Sequence, residues 1–341
     1  MSRLLNGKTH FKGFTVKNMK FNLNILILIF ALLPGLMAQE MHDNQIYLAD
    51  PTIFSNNGIY YLYGTKEDNK IQGEGFLVYT SSDLTKWEGP MGLTNGFALK
   101  KGDAFGTKGF WAPQIFKHQD KFYMAYTANE HIAIANSKSP LGPFKNDGKA
   151  LEAAVKQIDP FLFFDDDGKV YLYHVRLQNG NRIFVAEMNT ELTGIKPETL
   201  TECISGEKNS WENTVNSEWS VTEGPTVIKQ DNQYIMLYSA NDFRNPNYAV
   251  GFATSSSPLG PWKKSKVSPI ISGNILKING TGHGDIFVDG DGRLNYVLHT
   301  HFSEDIVGPR KTAIIKLDFN IKKKRFEIES NSFRYLNFTN K

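Results

Sequence analysis

From about residue 45 onward, apolar residues come in short runs of about four to eight, the length of strands, with no helical arc sustained over several turns. One pattern recurs five times. A Pro or Gly turn leads an apolar strand, a polar hairpin turn follows, and a strand rich in Tyr and aliphatic residues returns. The five units run from Asp50-Pro51-Thr52-Ile53-Phe54 to Tyr60-Tyr61-Leu62-Tyr63, from Ala112-Pro113-Gln114-Ile115-Phe116 to Phe122-Tyr123-Met124, and from Asp159-Pro160-Phe161-Leu162-Phe163 to Val170-Tyr171-Leu172-Tyr173. The last two run from Glu223-Gly224-Pro225-Thr226-Val227 to Tyr234-Ile235-Met236-Leu237-Tyr238, and from Gly284-Asp285-Ile286-Phe287-Val288 to Leu294-Asn295-Tyr296-Val297. Their starts, at 50, 112, 159, 223 and 284, lie 62, 47, 64 and 61 residues apart. Periods of this length with three or four strands each predict an all-β fold, a five-bladed β-propeller. Two packed sandwiches would also use short strands, but would not require the repeat.

Most units continue into a third strand and an outer turn, as in Ile132-Ala133-Ile134-Ala135 before Ser139-Pro140-Leu141-Gly142, and Ala249-Val250-Gly251-Phe252 before Ser257-Pro258-Leu259-Gly260. Residues 326–338 read as a closing strand pair of the last blade, and the Gly- and Asn-containing stretch 266–282 as a loop at the mouth. One propeller domain is therefore expected over residues 39–341.

Composition agrees. Of 341 residues, 24 are Phe, 14 Tyr and 5 Trp, a share that suits strands and sugar-binding clefts. A single cysteine, Cys203, excludes an intrachain disulfide framework. The net charge of +3 is set by the first 38 residues, which hold Arg3, Lys8, Lys12, Lys17 and Lys20 and no acids. Without them, 33 basic residues face 35 acidic ones, which argues against nucleic acid as a partner. The same segment carries an apolar run over residues 25–33 and ends in Leu36-Met37-Ala38, the parts of a secretory signal too short in its apolar core to span a bilayer. Residues 1–38 are thus expected to be a signal peptide, with Met19 an alternative start. No cysteine follows the apolar run for a lipid anchor, so no membrane anchor is expected and the mature chain should be secreted or periplasmic.

Candidate chemistry lies at the unit starts. The first strand of a propeller blade lines the axis, and three of the five starts are acidic: Asp50, Asp159 and Glu223. Asp-Pro and Glu-Gly-Pro are also ordinary turn sequences. Three of them at matching places converge on one axis, however, and like charges brought together cost energy that structure alone would avoid. Convergent carboxylates suit cleavage of a glycosidic bond, in which one group is protonated to donate to the leaving oxygen and another is ionised to activate water.

The ordered set Ala49-Asp50-Pro51, Trp111-Ala112-Pro113-Gln114, Ile158-Asp159-Pro160, Glu223-Gly224-Pro225 and Gly280-Thr281-Gly282-His283 resembles glycoside hydrolase family 43, a family of five-bladed propellers, over roughly residues 45–320. The resemblance implies an inverting enzyme acting on arabinose-, xylose- or galactose-containing glycans. It implies Asp50 as general base, Glu223 as general acid, and Asp159 as the carboxylate that tunes and orients the acid. Retaining invertase-like propellers fit less well, because their Arg-Asp-Pro and Glu-Cys stand here as Ile158-Asp159-Pro160 and Glu223-Gly224.

The same resemblance places His283 in the central channel, where an ion such as a structural calcium could be held largely through water; the alternative is a histidine hydrogen-bonded between blades. It makes Arg310 an arginine reaching substrate hydroxyls near the acid, against an ordinary strand arginine. Phe110-Trp111 offers an aromatic wall to a sugar face, or a packed blade edge. His299 and His301, two apart, point to one face and form channel wall. Asp165-Asp166-Asp167-Gly168 and Asp289-Gly290-Asp291-Gly292 lack the twelfth-position Glu of an EF-hand and read as hairpin turns. The expectation is an exported hydrolase that needs no cofactor and removes terminal arabinofuranosyl or xylosyl units from plant-type polysaccharide. An exo-β-galactosidase on the same machinery and a non-catalytic glycan-binding propeller are the alternatives.

Overall fold

Among the described residues the strands form five antiparallel blade sheets, each begun by the apolar run of one sequence unit, and a further two-stranded pair, Gly75–Leu77 with Phe97–Lys100. The inner strands are Leu48–Asn56, Trp111–His118, Gln157–Phe164, Thr222–Gln230 and Gly282–Val288. They touch one another in a closed ring, first to second to third to fourth to fifth and back to the first. This is the five-bladed β-propeller that the repeat predicts. The computed structural model describes residues 44–67, 73–320 and 322–339. The expected signal peptide at 1–38 lies outside the described residues.

All five inner strands carry the same irregularity. Register slips by one residue between Ala49 and Thr52, Trp111 and Gln114, Ile158 and Phe161, Glu223 and Thr226, and within Gly282-His283-Gly284. At the slip one residue per blade adopts a left-handed backbone: Asp50 (φ 46°), Ala112 (44°), Asp159 (55°), Gly224 (59°) and His283 (38°). In the first four blades a proline follows, which has no N–H to lose from the ladder. These bulges correct the matching inferred from sequence. Asp50 and Asp159 are equivalent to each other and to Gly224 and His283; Glu223 stands one position earlier, equivalent to Ala49, Trp111 and Ile158.

Five apolar clusters fill the gaps between neighbouring blades. Tyr63, Phe76, Phe110 and Met124 join blades one and two; Phe116, Ile132, Leu162 and Met188 join two and three; Tyr173, Val185, Met236 and Ala253 join three and four. Ile235, Phe252, Tyr296 and Ile315 join four and five, and Ile46, Leu62, Val297 and Leu336 join five and one. Each fully buried aliphatic or aromatic side chain contributes about 1.5–3 kcal/mol. The ring is closed by interleaving the two ends of the propeller. Ile46 donates its N–H to Leu336 O at 2.9 Å and accepts one from Thr312 at 3.1 Å, while Gln45 and Trp87 bridge to Asn337 and Phe338. Of the closing pair expected at the C-terminal end, Arg325–Tyr335 is the outer strand of blade five, paired with Lys311–Asn320.

Candidate active site

The bulged ends of the inner strands open into a cavity of about 310 Å³, walled by Asp50, Thr65, Glu67, Trp111, Ile158, Asp159, Asn181, Val221, Glu223, Asp242, Phe243, His283 and Arg310. Every blade contributes. All three sequence-predicted carboxylates, with Trp111, His283 and Arg310, are thus brought together.

Asp50 is buried and richly partnered. Its Oδ2 accepts from the Thr65 hydroxyl at 2.6 Å, and Oδ1 accepts from Arg310 Nη1 at 3.3 Å. His283 Nδ1 stands 3.3 Å from the same oxygen. Burial pushes the carboxyl up, but His283, Arg310 and the Thr65 hydroxyl together outweigh it and hold Asp50 below its ordinary value. Because burial pushes His283 itself toward neutrality, the permanent charge of Arg310 is the partner that persists at neutral pH. Arg310 is in turn locked from behind. Glu67 grips its side chain through Nε at 3.0 Å and Nη2 at 2.6 Å, and its guanidinium lies 4.4 Å above the Phe243 ring.

Glu223 has the opposite surroundings. Burial, above all, raises its pKa to about 7, and the carboxylate contacts of Arg310 go to Asp50 and Glu67 instead. Its Oε1 accepts from the Tyr248 hydroxyl at 2.8 Å and its Oε2 from Asn181 Nδ2 at 3.0 Å. Tyr248 stacks on His299 with ring centroids 5.6 Å apart, and His299 Nδ1 lies 3.1 Å from the Asp50 backbone nitrogen. Asp159 is driven upward first by burial and then by the neighbouring Glu223 and Asp50 charges. Its Oδ2 accepts the Gly224 N–H at 3.2 Å, which ties it to the residue next to Glu223. The site therefore pairs a carboxylate held ionised with one held protonated.

Residues 45–322 match the profile of Glycosyl hydrolases family 43. The chain belongs to that family. Among solved structures, an endo-1,4-β-xylanase from Bacteroides thetaiotaomicron is similar at a TM-score of 0.80 and 38% identity, over 87% of this chain and 99% of its own. A β-D-galactofuranosidase from Aspergillus niger is 23% identical over 296 residues, 80% of each chain. An extracellular endo-α-(1→5)-L-arabinanase from Bacillus subtilis is 26% identical over 77% of this chain, which spans only 58% of that relative's length. As a family-43 member, the protein is a glycosidase.

Two expectations for this family-43 site need correction. Phe110 does not share the wall with Trp111: it is buried in the cluster between blades one and two, edge-on to Phe76 and stacked on Tyr126. The bulge at Ala112 turns the strand there, so adjacent aromatics part. Arg310 is buried rather than on the surface; it lines the same cavity as Glu223, and its own carboxylate partners are Asp50 and Glu67. His299 and His301 do brace the wall, His301 through a 2.8 Å bond between Nε2 and Phe243 O. The stretch 266–282 contributes nothing to the cavity lining; residues 242–243 and Val221 take that place. The Asp165 and Asp289 runs are hairpin turns, with Gly168 and Gly292 donating back to Asp165 O and Asp289 O.

The ion expected near His283 is one held largely through water. Among the described residues no three His, Cys, Asp or Glu side chains gather as a direct ligand set. Deeper in the channel, both Asp285 oxygens are taken by the Thr52 and Thr226 hydroxyls, at 2.7 and 2.6 Å. This donor set does not fit a directly ligated ion, and no step below runs through one. Sequence reasoning missed Glu67, Asn181, Asp242, Phe243 and Tyr248. Glu67, Asp242 and Phe243 follow second strands, Asn181 and Tyr248 stand at the starts of third strands, and no motif marks any of them.

Proposed function

We propose that this family-43 glycosidase removes terminal arabinofuranosyl or xylosyl units from plant-type polysaccharide or oligosaccharide by a single displacement. The observation that carries the reading is the opposed tuning of two carboxylates on one small cavity. Asp50, ionised, accepts a proton from water while that water's oxygen bonds to the anomeric carbon. As the glycosidic C–O bond breaks, Glu223 gives its proton to the departing oxygen. Asp159, joined to Gly224 N–H, orients the strand end that bears Glu223, while burial above all keeps Glu223 protonated. Trp111 faces the sugar ring, and Arg310 and His283 supply donors to sugar hydroxyls beside Asp50.

Pentose is favoured by Ile158 and Val221 in the cavity wall, since an exocyclic hydroxyl buried against them would lack a partner. Export is supported by the composition of residues 1–38 and by extracellular relatives. Among the described residues, no helix is long and apolar enough to cross a membrane.

The test is turnover of α-L-arabinofuranoside, β-D-xyloside, β-D-galactoside and β-D-galactofuranoside aryl glycosides by the chain from Gln39 onward, beside Glu223→Gln. The expected result is release of a pentose and a loss of about 10²–10⁴-fold in the variant. Preference for a galactoside would overturn the pentose reading. Tight glycan binding without turnover on matched oligosaccharides would favour the binding-module alternative.

A further inference from the structure

Beyond the cavity, one aromatic side chain is placed where neither motif nor packing accounts for it. Trp219 is 49% exposed, on a segment leading into the inner strand of blade four. Its indole N–H donates to Asn181 Oδ1 at 2.9 Å, and the same Asn181 donates from Nδ2 to Glu223 Oε2 at 3.0 Å. An indole N–H can only donate. It therefore fixes which way the Asn181 amide faces, carbonyl toward Trp219 and NH₂ toward Glu223. Trp219 does not line the cavity that takes the terminal sugar; it lies one side chain outside, beyond Asn181, on the side of the acid.

We propose that Trp219 is the platform for the sugar unit on the leaving-group side of the scissile bond and that, by fixing Asn181, it is also a positioning residue for Glu223. The inference rests on the reading of Glu223 as general acid. A proton donor must face the glycosidic oxygen, so the chain that leaves emerges past Glu223 and meets the exposed indole face. Aromatic faces suit the apolar face of a pyranose or furanose ring.

The segment around Trp219 is built to hold still. Asn213 and Ser217 bond reciprocally at 2.8 Å in each direction, Trp219 N donates to Ser217 Oγ at 3.2 Å, and Thr214 N donates to Asn241 at 2.9 Å. Below them, buried Glu212 accepts from the Tyr238 hydroxyl at 2.6 Å and from Lys264 Nζ at 2.5 Å. A platform rigid before binding loses little freedom when the substrate arrives.

Two substitutions separate the two roles. Trp219→Ala removes ring and N–H; Trp219→Phe keeps a ring and removes only the N–H. With an oligosaccharide substrate, Trp219→Ala is expected to raise KM about 5-fold or more, and Trp219→Phe to recover most of that loss. Both are expected to move the alkaline limb of kcat/KM upward, because Asn181, freed to turn, no longer favours the Glu223 carboxylate. Binding of the same oligosaccharide to Glu223→Gln, with and without Trp219→Ala, reads the platform without turnover. An unchanged KM and unchanged binding in Trp219→Ala, or an alkaline limb that stays in place in both variants, would overturn the inference. Full activity in Glu223→Gln would instead sink the underlying assignment of the acid.

Discussion

A single pocket holds three carboxylates because each has been given different company. Asp50 keeps its charge through Arg310, which Glu67 and Phe243 prevent from turning away. Glu223 keeps its proton through burial, against the pull of two donors, Tyr248 and Asn181. The consequence is a bell-shaped dependence of kcat/KM on pH. On the acid side, turnover falls only as Asp50 takes up a proton, below the ordinary carboxylate range. On the alkaline side, it falls as pH rises through about 7 and Glu223, the proposed acid, ionises; the limb belongs to the Asp159–Glu223 pair jointly. Tyr248→Phe removes a hydrogen bond that favours the carboxylate, so the alkaline limb is expected to move upward, by up to about one unit. Initial rates on a responsive aryl glycoside across the pH range check this. A limb that moves downward would mean that the tyrosine stabilises the protonated form.

The element that makes this possible is the bulged inner strand. The sequence exposes it well: Asp-Pro, Ala-Pro, Asp-Pro and Gly-Pro mark four of the five bulges, and the repeat locates all five blades. The one-residue offset of Glu223 is readable there too, since Glu223 stands two residues before its proline and Asp50 and Asp159 one before theirs, and register with the second strand agrees. What the motifs conceal is the side chains that close the pocket from strand ends, such as Glu67 and Tyr248, whose meeting depends on contacts far apart in sequence. Blade four carries Gly224 at its left-handed position for a steric reason: a Cβ there would lie 2.6 Å from His283 Cδ2. Gly224→Ala is therefore expected to push His283 off Asp50 and to strain the backbone beside the acid by about 1–2 kcal/mol. A drop in Tm of a few degrees with a disproportionate loss of kcat is the expected outcome. Thermal unfolding and turnover measured on the same sample separate the two, and a loss of Tm with unaltered kcat would show that His283 is free to move.

At the scale of the whole molecule the site is only as firm as the ring that carries it, because its walls come from all five blades. Four of the interfaces between blades join elements linked through the chain; the fifth, between blades five and one, is closed by the segments around Ile46 and Leu336. Arg310 reaches Asp50 across that same interface. Loosening the closure should accordingly disturb Asp50 before it disturbs Glu223. Leu336 is fully buried there, and Leu336→Ala costs about 2–5 kcal/mol of stability. Met188→Ala, in the cluster between blades two and three, removes similar packing without touching the Arg310–Asp50 contact. Both variants are expected to lower Tm by several degrees. At a temperature where both remain folded, Leu336→Ala is expected to lose more turnover and to raise the acid limb of the pH profile, since Asp50 loses its fixed cation. Equal turnover and equal acid limbs in the two variants would show that closure of the ring supports the fold alone and leaves the base indifferent to it.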